Sequence, residues 1–519
     1  MMKRLCCLLV SLLMLLSVFS VTAFAWRPTQ KNEHPVIFMG GFISTNTVDG
    51  ATGETVFPPS RDTILQGVRE AVGPLAQSVL RGDYSLMDYP LNKLVLNLLD
   101  GLRCDENGDP IREKTVSAFV YPTKEELQAK YHDDVGYTAT DFIFYSYDWR
   151  RDMKTLAGGL HDFLQYVLDA TGAETVDIIA HSMGTCVLST YFSIYGPEYI
   201  DRAVCYCGAF QGSSFCGDGF RNAIKMDAES TVAYLNGVLG MDLRGEVIKT
   251  IVDILHQHGA TDAVVAPVET LVNGVFAKTY RQALLYIFGR MPGFWAMLPD
   301  EDYDYVRNEY AKDVVTDAFR EKVDFYHDVQ TRVPEILAGV MKQGTDVSII
   351  AKYGFPNVPI IESHYENSDF VVDVKYASLG ATAADYDKTF PVDYVQAVPG
   401  DVNYVSPDRI IDASTCAFPE KTWFIKNTTH LNNYTEDPDS VFGFFDWLFA
   451  ADGASSVQNE TYPQFLVEQP DRSVVPLSAD TDYNILGDYR RENGFFVRLK
   501  KILTDYRQLI VLLFALIRK

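Results

Sequence analysis

The chain has 519 residues, 47% of them hydrophobic, and a formal net charge of −24, longer than one ordinary domain needs. The acidic balance argues against nucleic acid as a partner and against simple adsorption to anionic lipid. The eight cysteines are too few and too scattered for a disulfide scaffold and show no paired spacing suited to zinc.

Lys3 and Arg4 form a short basic start, Leu5 to Val21 is nearly all apolar, and Ala23-Phe24-Ala25 supplies a small-x-small pattern before Trp26. A secretory signal peptide is therefore expected over 1–25, and the protein is expected to be secreted. No proline-rich or Gly/Ser linker divides the remainder, so one catalytic domain enlarged by insertions is expected over 26–450, followed by an extended linker over 451–493. Residues 494–519 are basic, and their apolar residues recur at helical spacing, with the uninterrupted run Leu509 to Ile517 about half of what a membrane span needs. The segment reads either as an amphipathic helix lying in a membrane surface or as one docked on the protein itself.

His34 to Ser44 (HPVIFMGGFIS) is a short apolar strand followed by two glycines. Gly40-Gly41 is either a tight strand-to-loop turn or a place where the backbone closes on a reacting carbonyl, with Phe42 or Ile43 giving an amide. Residues 45–137 are polar and punctuated by turns, with helical potential over Arg61 to Leu80 and a short apolar segment at Leu91 to Leu99. Asp105 to Asp109 begins like a calcium loop, but Pro110 and Val116 occupy positions that need glycine and an acid, so it is a turn. Asp141 to Tyr145 then reads as a strand, followed by Tyr147-Asp148-Trp149-Arg150 and a helix over Met153 to Ala170.

Thr175 to Phe192 (TVDIIAHSMGTCVLSTYF) organises the chain: a buried strand, the pentapeptide Ala180-His181-Ser182-Met183-Gly184, and a helix from Gly184. This is a G-x-S-x-G nucleophile elbow with Ala at its first position, where only small residues fit a turn so tight. Strand, helix, strand, elbow, helix is the order of a doubly wound, mostly parallel sheet, so the expected fold class is α/β, of the α/β-hydrolase type. Ala203 to Tyr206 adds a strand, leading into Gly208 to Ser214. About 220–344 is then expected to be a large helical cap or lid above the C-terminal edge of the sheet. Its Arg290 to Pro299 segment, with Phe294 and Trp295, either lines an acyl-chain pocket or forms the core of the cap itself.

Val347 to Ala351 and Thr422 to Ile425 read as the last two sheet strands. A hydrolase triad runs Ser, acid, His along the chain, with acid and His on loops after late strands. His430 is the base in the right place, with His364 in reserve. His181 is a poor base, because adjacent elbow residues point apart. For the acid, Asp401 is preferred over Asp408 and Asp412. The Met183 amide is the second oxyanion donor. Cys186 reads as a small buried apolar residue, and a disulfide among Cys205, Cys207 and Cys216 is open in an oxidising compartment.

The strand with Gly40-Gly41, the YDWR tetrapeptide, the Ser182 elbow, Gly208-Ala209-Phe210-Gln211-Gly212-Ser213, Met291 to Pro299, Gly400-Asp401 and His430 resemble lecithin:cholesterol acyltransferase-like lipases. The resemblance spans about Pro35 to Leu448, and YDWR is its most telling element. It implies an α/β-hydrolase whose triad is Ser182, Asp401 and His430 and whose oxyanion donors are Ile43 and Met183. It also implies a serine lipase or phospholipase acting on lipid acyl esters, or an acyltransferase using the same site, with no cofactor or metal. A non-catalytic lipid-binding protein on the same scaffold is the alternative, and a peptidase a weaker third. The chain departs from the family at Ala180 and at Val402-Asn403-Tyr404 in the acidic motif.

Overall fold

The computed structural model describes residues 34–479 apart from 82, 84, 86–87, 113–114, 119–120, 131–140, 224, 226–230, 233–282, 311–314, 387, 431–439, 451–452, 454 and 470–471. The expected signal peptide, the C-terminal helix over 494–519 and much of the expected cap lie outside the described residues.

The main sheet has eight strands: β1 (Val36–Met39), β2 (Ile143–Tyr145), β3 (Val176–His181), β4 (Ile200–Tyr206), β5 (Asp346–Tyr353), β6 (Thr422–Lys426), β7 (Phe465–Glu468) and β8 (Val474–Pro476). Their spatial order is β8-β7-β6-β5-β4-β3-β1-β2, and every pairing is parallel except β7 with β8. Because the strands run in one direction, Met39, His181, Tyr206, Tyr353 and Lys426 all end on one edge of the sheet. In an open α/β sheet that edge is where sites are built.

Strand alternation divides the interior in two. Ile37, Met39, Ile178, Ala180, Ala203, Cys205 and Ile349 face one core, while Val36, Phe38, Ile179, Val204, Tyr206 and Ile350 face the other. The first core is covered by α1 (Met153–Thr171), α2 (Gly184–Tyr195), α4 (Asp317–Thr331) and α5 (Val333–Lys342), with the short α3 (Ser214–Arg221) at its end. The second is covered by α6 (Val441–Ala450), whose Phe442, Phe444, Phe445 and Leu448 are buried. Helix α1 shows why these segments are helical. Leu156, Leu160, Phe163, Leu164 and Val167 recur on one face, Asp152 caps the first turn by accepting from Thr155 N at 2.9 Å, and Gly172 ends it at φ 75. Each such buried side chain contributes roughly 1.5–3 kcal/mol.

Three expectations need correction. Within the expected linker, Phe465–Glu468 and Val474–Pro476 are sheet strands, β7 and β8, beside β6. Residues 317–342 of the expected cap are instead two helices packed on α1 and α2, held by Phe319, Val323, Tyr326 and Leu337 in the first core. No disulfide joins Cys205, Cys207 and Cys216: all three are buried free thiols, and Cys205 and Cys207 face opposite cores. The turn expected at Asp105 to Asp109 is present, with the Asp105 carboxylate accepting from Asn107 N and Asp109 N. Among the described residues no helix is long and apolar enough to cross a membrane.

Asp177 of β3 lies fully buried with neither carboxyl oxygen hydrogen-bonded among the described residues. Burial, then the nearby Asp201, raises its carboxyl well above the ordinary range, and Arg202 offsets this only in part. A carboxyl raised on folding contributes stability that is full below its unfolded value, near 4, and is lost as pH climbs through the raised one. Asp177→Asn is therefore expected to melt higher than wild type at pH 8, by about 1–3 kcal/mol. The gain should vanish near pH 4, which parallel thermal melts would check.

Candidate active site

Ser182 sits between β3 and α2 with φ 56, a left-handed conformation that a non-glycine residue holds only where its surroundings enforce it. They do so here. The Ser182 N–H donates to Tyr206 O at 3.0 Å, and its carbonyl accepts from Thr185 N at 3.0 Å, Thr185 Oγ1 at 2.7 Å and Ala209 N at 3.2 Å. The space is equally constrained. A Cβ on Gly184 would stand 2.8 Å from Met39 O, and one on Gly41 would stand 2.5 Å from Ser182 Cβ.

The contact with Gly41 brings the loop after β1 onto the serine. That loop is tied down by the tetrapeptide after β2. Tyr147 Oη donates to Gly40 O at 2.5 Å, and Trp149 Nε1 donates to Thr45 O at 2.8 Å. Arg150 is fully buried, pairing with Asp148 through Nε (2.9 Å) and Nη2 (2.8 Å), while its Nη1 reaches Gly101 O and Thr115 Oγ1. Ile43 takes φ 63, and Met183 opens α2. Among the described residues neither the Ile43 nor the Met183 N–H donates to a backbone carbonyl. Two such amides flanking Ser182, one at a helix N-terminus, suit a developing negative charge.

Phe42 packs edge-on against Trp149 at 4.6 Å and against Phe294 at 5.5 Å, so Phe294 supports the loop. Trp295 packs on Phe220 and Phe319 and donates from Nε1 to Gly289 O at 3.0 Å. Both are buried in the first core, the one shared with the sheet. Gly293 shows how tight that junction is: a Cβ there would lie 1.9 Å from Trp149 O.

His430 lies in the loop after β6, buried, with its ring 4.7 Å from that of His181, the residue before Ser182. Its Nδ1 lies 2.7 Å from Asp369 Oδ2, a contact in which the imidazole N–H donates to an ionised carboxylate, and its backbone N–H donates to Asp369 O at 2.9 Å. Asp369 Oδ1 accepts from Val371 N at 3.1 Å and Val372 N at 2.8 Å. Burial pushes this carboxyl up, but His430, the Val372 amide and Lys352 outweigh it and hold the group below its ordinary value.

The partner of His430 is thus Asp369, not Asp401. Asp401 is exposed, on a loop whose Tyr394 Oη and Ala397 N are bound by Asp412 and whose Val392 and Val395 also face outward. Asp408 is taken by Lys426 at 2.8 Å and Tyr353 Oη at 3.1 Å. His364 bonds the carbonyl of Ile361 in its own turn. Asp369 does obey the expected rule of an acid on the loop after a late strand. Its mark in the sequence is Asn367-Ser368-Asp369, a run of turn-forming residues after β5.

Donor atoms of His181, Cys207 and His430 lie within 4.8 Å of one another and are buried. Two of the ring nitrogens are hydrogen-bonded within the protein: His430 Nδ1 to Asp369, and His181 Nε2 to His430 O at 3.1 Å. Burial raises the Cys207 thiol far above its ordinary value, and the ammonium of Lys352 lies close to it. A hydrogen-bonded cluster, and not a cation site, fits that chemistry.

The sheet order and the elbow together define an α/β-hydrolase fold. A family model described as the alpha/beta hydrolase fold matches residues 157–230, the stretch that carries the elbow, and supports a hydrolase. No curated protein matches the sequence. Among solved structures the chain is similar to one described as "The crystal structure of Tle4-Tli4 complex", at 12% identity and a TM-score of 0.28, covering 80% of this chain and 97% of that one.

If Asp369 orients the base, Asp369→Asn leaves the ring in place with the wrong tautomer and lowers kcat by roughly 10³–10⁴-fold. Asp401→Asn is expected to change it less than about twofold, as exposed substitutions usually do. Ester hydrolysis by the two purified variants decides between them.

Proposed function

We propose that this chain is a serine hydrolase of lipid acyl esters. The observation that carries the reading is the His430–Asp369 pair packed, through the His181 ring, against an elbow that holds Ser182 at φ 56. With Nδ1–H donated to Asp369, His430 takes the Ser182 Oγ proton at Nε2. Oγ then attacks the ester carbonyl, and the Ile43 and Met183 amides receive the oxyanion. His430 returns its proton to the departing alcohol, and water activated by the same imidazole releases the acid from the acyl-enzyme. A lipid hydroxyl in place of that water makes the reaction an acyl transfer.

The partly exposed apolar side chains Phe42, Ile43, Phe215 and Phe288 beside the first core support an apolar acyl chain as the group recognised. The signal-like segment over 1–25 supports secretion, and the basic segment over 494–519 supports association with a membrane surface.

Ester hydrolysis across a chain-length series and phospholipids, with and without a lipid alcohol acceptor, tests this beside Ser182→Ala. The expected result is activity rising with chain length and a loss of at least about 10⁴-fold in the variant. A fluorophosphonate should label wild type and leave Ser182→Ala bare. Equal activity in the two proteins would remove the serine mechanism.

A further inference from the structure

Lys352 is almost fully buried on β5, on the face of the sheet that α6 covers. An ammonium there loses hydration worth several kcal/mol, so its surroundings must supply partners. They are specific. Lys352 Nζ donates to Thr429 O at 2.9 Å and lies 4.5 Å from the centroid of the Tyr206 ring. Burial lowers its affinity for a proton, while Cys207, Asp369 and Glu468 act the other way.

The next tether is one residue along. His181 Nε2–H donates to His430 O at 3.1 Å, and burial, then His430 and Lys352, keeps the His181 imidazole well below its ordinary value and hence neutral. Two consecutive carbonyls, those of Thr429 and His430, are therefore each held by a buried side chain from a different strand. The His430 N–H between them is held by Asp369 O. Loop backbone is ordinarily free to shift, and a base displaced by about 1 Å costs on the order of 10²-fold in rate.

We propose that Lys352 and His181 form a clamp on the backbone at 429–430 that fixes His430 in its working position, with Lys352 as the principal positioning residue. Neither side chain touches substrate in this role. The inference rests on the serine hydrolase reading. The titratable and charged groups that face Lys352 are His181, Cys207, Tyr206, Asp369, His430 and Glu468. Exchange for an apolar side chain removes a positive charge from beside Asp369 and His181.

The test compares full-length wild type, Lys352→Met, Lys352→Arg, His181→Gln and His181→Phe in the kcat and KM of ester hydrolysis and in fluorophosphonate labelling, at temperatures well below each melting point. Lys352→Met is expected to lose roughly ten- to a hundredfold in kcat with KM within about twofold, and labelling should slow in step. Lys352→Arg should recover part of the rate, and His181→Gln, which keeps an N–H donor, should outperform His181→Phe. A folded Lys352→Met with wild-type kcat and labelling would overturn the clamp. Should that variant not fold, indistinguishable His181→Gln and His181→Phe would overturn it equally. Ser182→Ala run alongside separates the failures: activity surviving there sinks the serine reading itself, whereas an inert Ser182→Ala beside an unimpaired Lys352→Met sinks only the clamp.

Discussion

The site depends on the close approach of three backbone segments around one residue held in a left-handed conformation. Ser182 at φ 56 has a conformational cost of order 1–3 kcal/mol, and nothing local to the serine offsets it. Its neighbours do: Tyr206 O on one side, Thr185 and Ala209 on the other, and Gly41 and Gly184 leaving the only room. The same closeness that enforces the turn brings the loop after β1 within contact of the serine. Strain and amide placement are two results of one packing constraint.

A second layer transmits that constraint outward. The YDWR tetrapeptide uses each side chain for a different bond. Tyr147 and Trp149 hold carbonyls of the Gly40–Thr45 loop, while Asp148 and Arg150 neutralise one another inside the protein. Gly293 then seats against the Trp149 carbonyl, tying a distant segment to the loop through bare backbone. On the other side of the site, Asp373 accepts from Ser214 N and Asn357 Nδ2, joining the Asp369 loop to the start of α3. Burial raises its carboxyl to about 6 despite these bonds.

Much of this was legible in the sequence where local chemistry and global position agree. The elbow announces itself because tight turns demand small residues at fixed offsets, and His430 because it follows the β-branched and aromatic strand Thr422 to Ile425. The acid was not legible in the same way. Asp369 and Asp401 are both turn aspartates near glycine-poor and glycine-rich loops, and only the three-dimensional course of 354–412 decides which one reaches His430. Short paired strands such as Thr47–Asp49 with Thr55–Phe57 and Thr115–Ser117 were hidden because three residues carry no measurable period. Strands β7 and β8 were hidden behind Pro, Gln and Asp that read as linker. Lys352 and His181 were invisible as neighbours because their meeting point is a pair of backbone carbonyls, which leave no mark on the sequence.

Strand order carries one more consequence. From β3 to β8 each new strand adds to the outer edge of the previous one, so the sheet grows in the direction of protein synthesis. The serine is laid down early, on β3, but its imidazole arrives only after β6, and the strands that shield β6 come later still. A chain still emerging from the ribosome therefore carries Ser182 before His430 has been made. Completion of the candidate site waits on the loop after β6, and a product truncated before β6 lacks the His430–Asp369 pair.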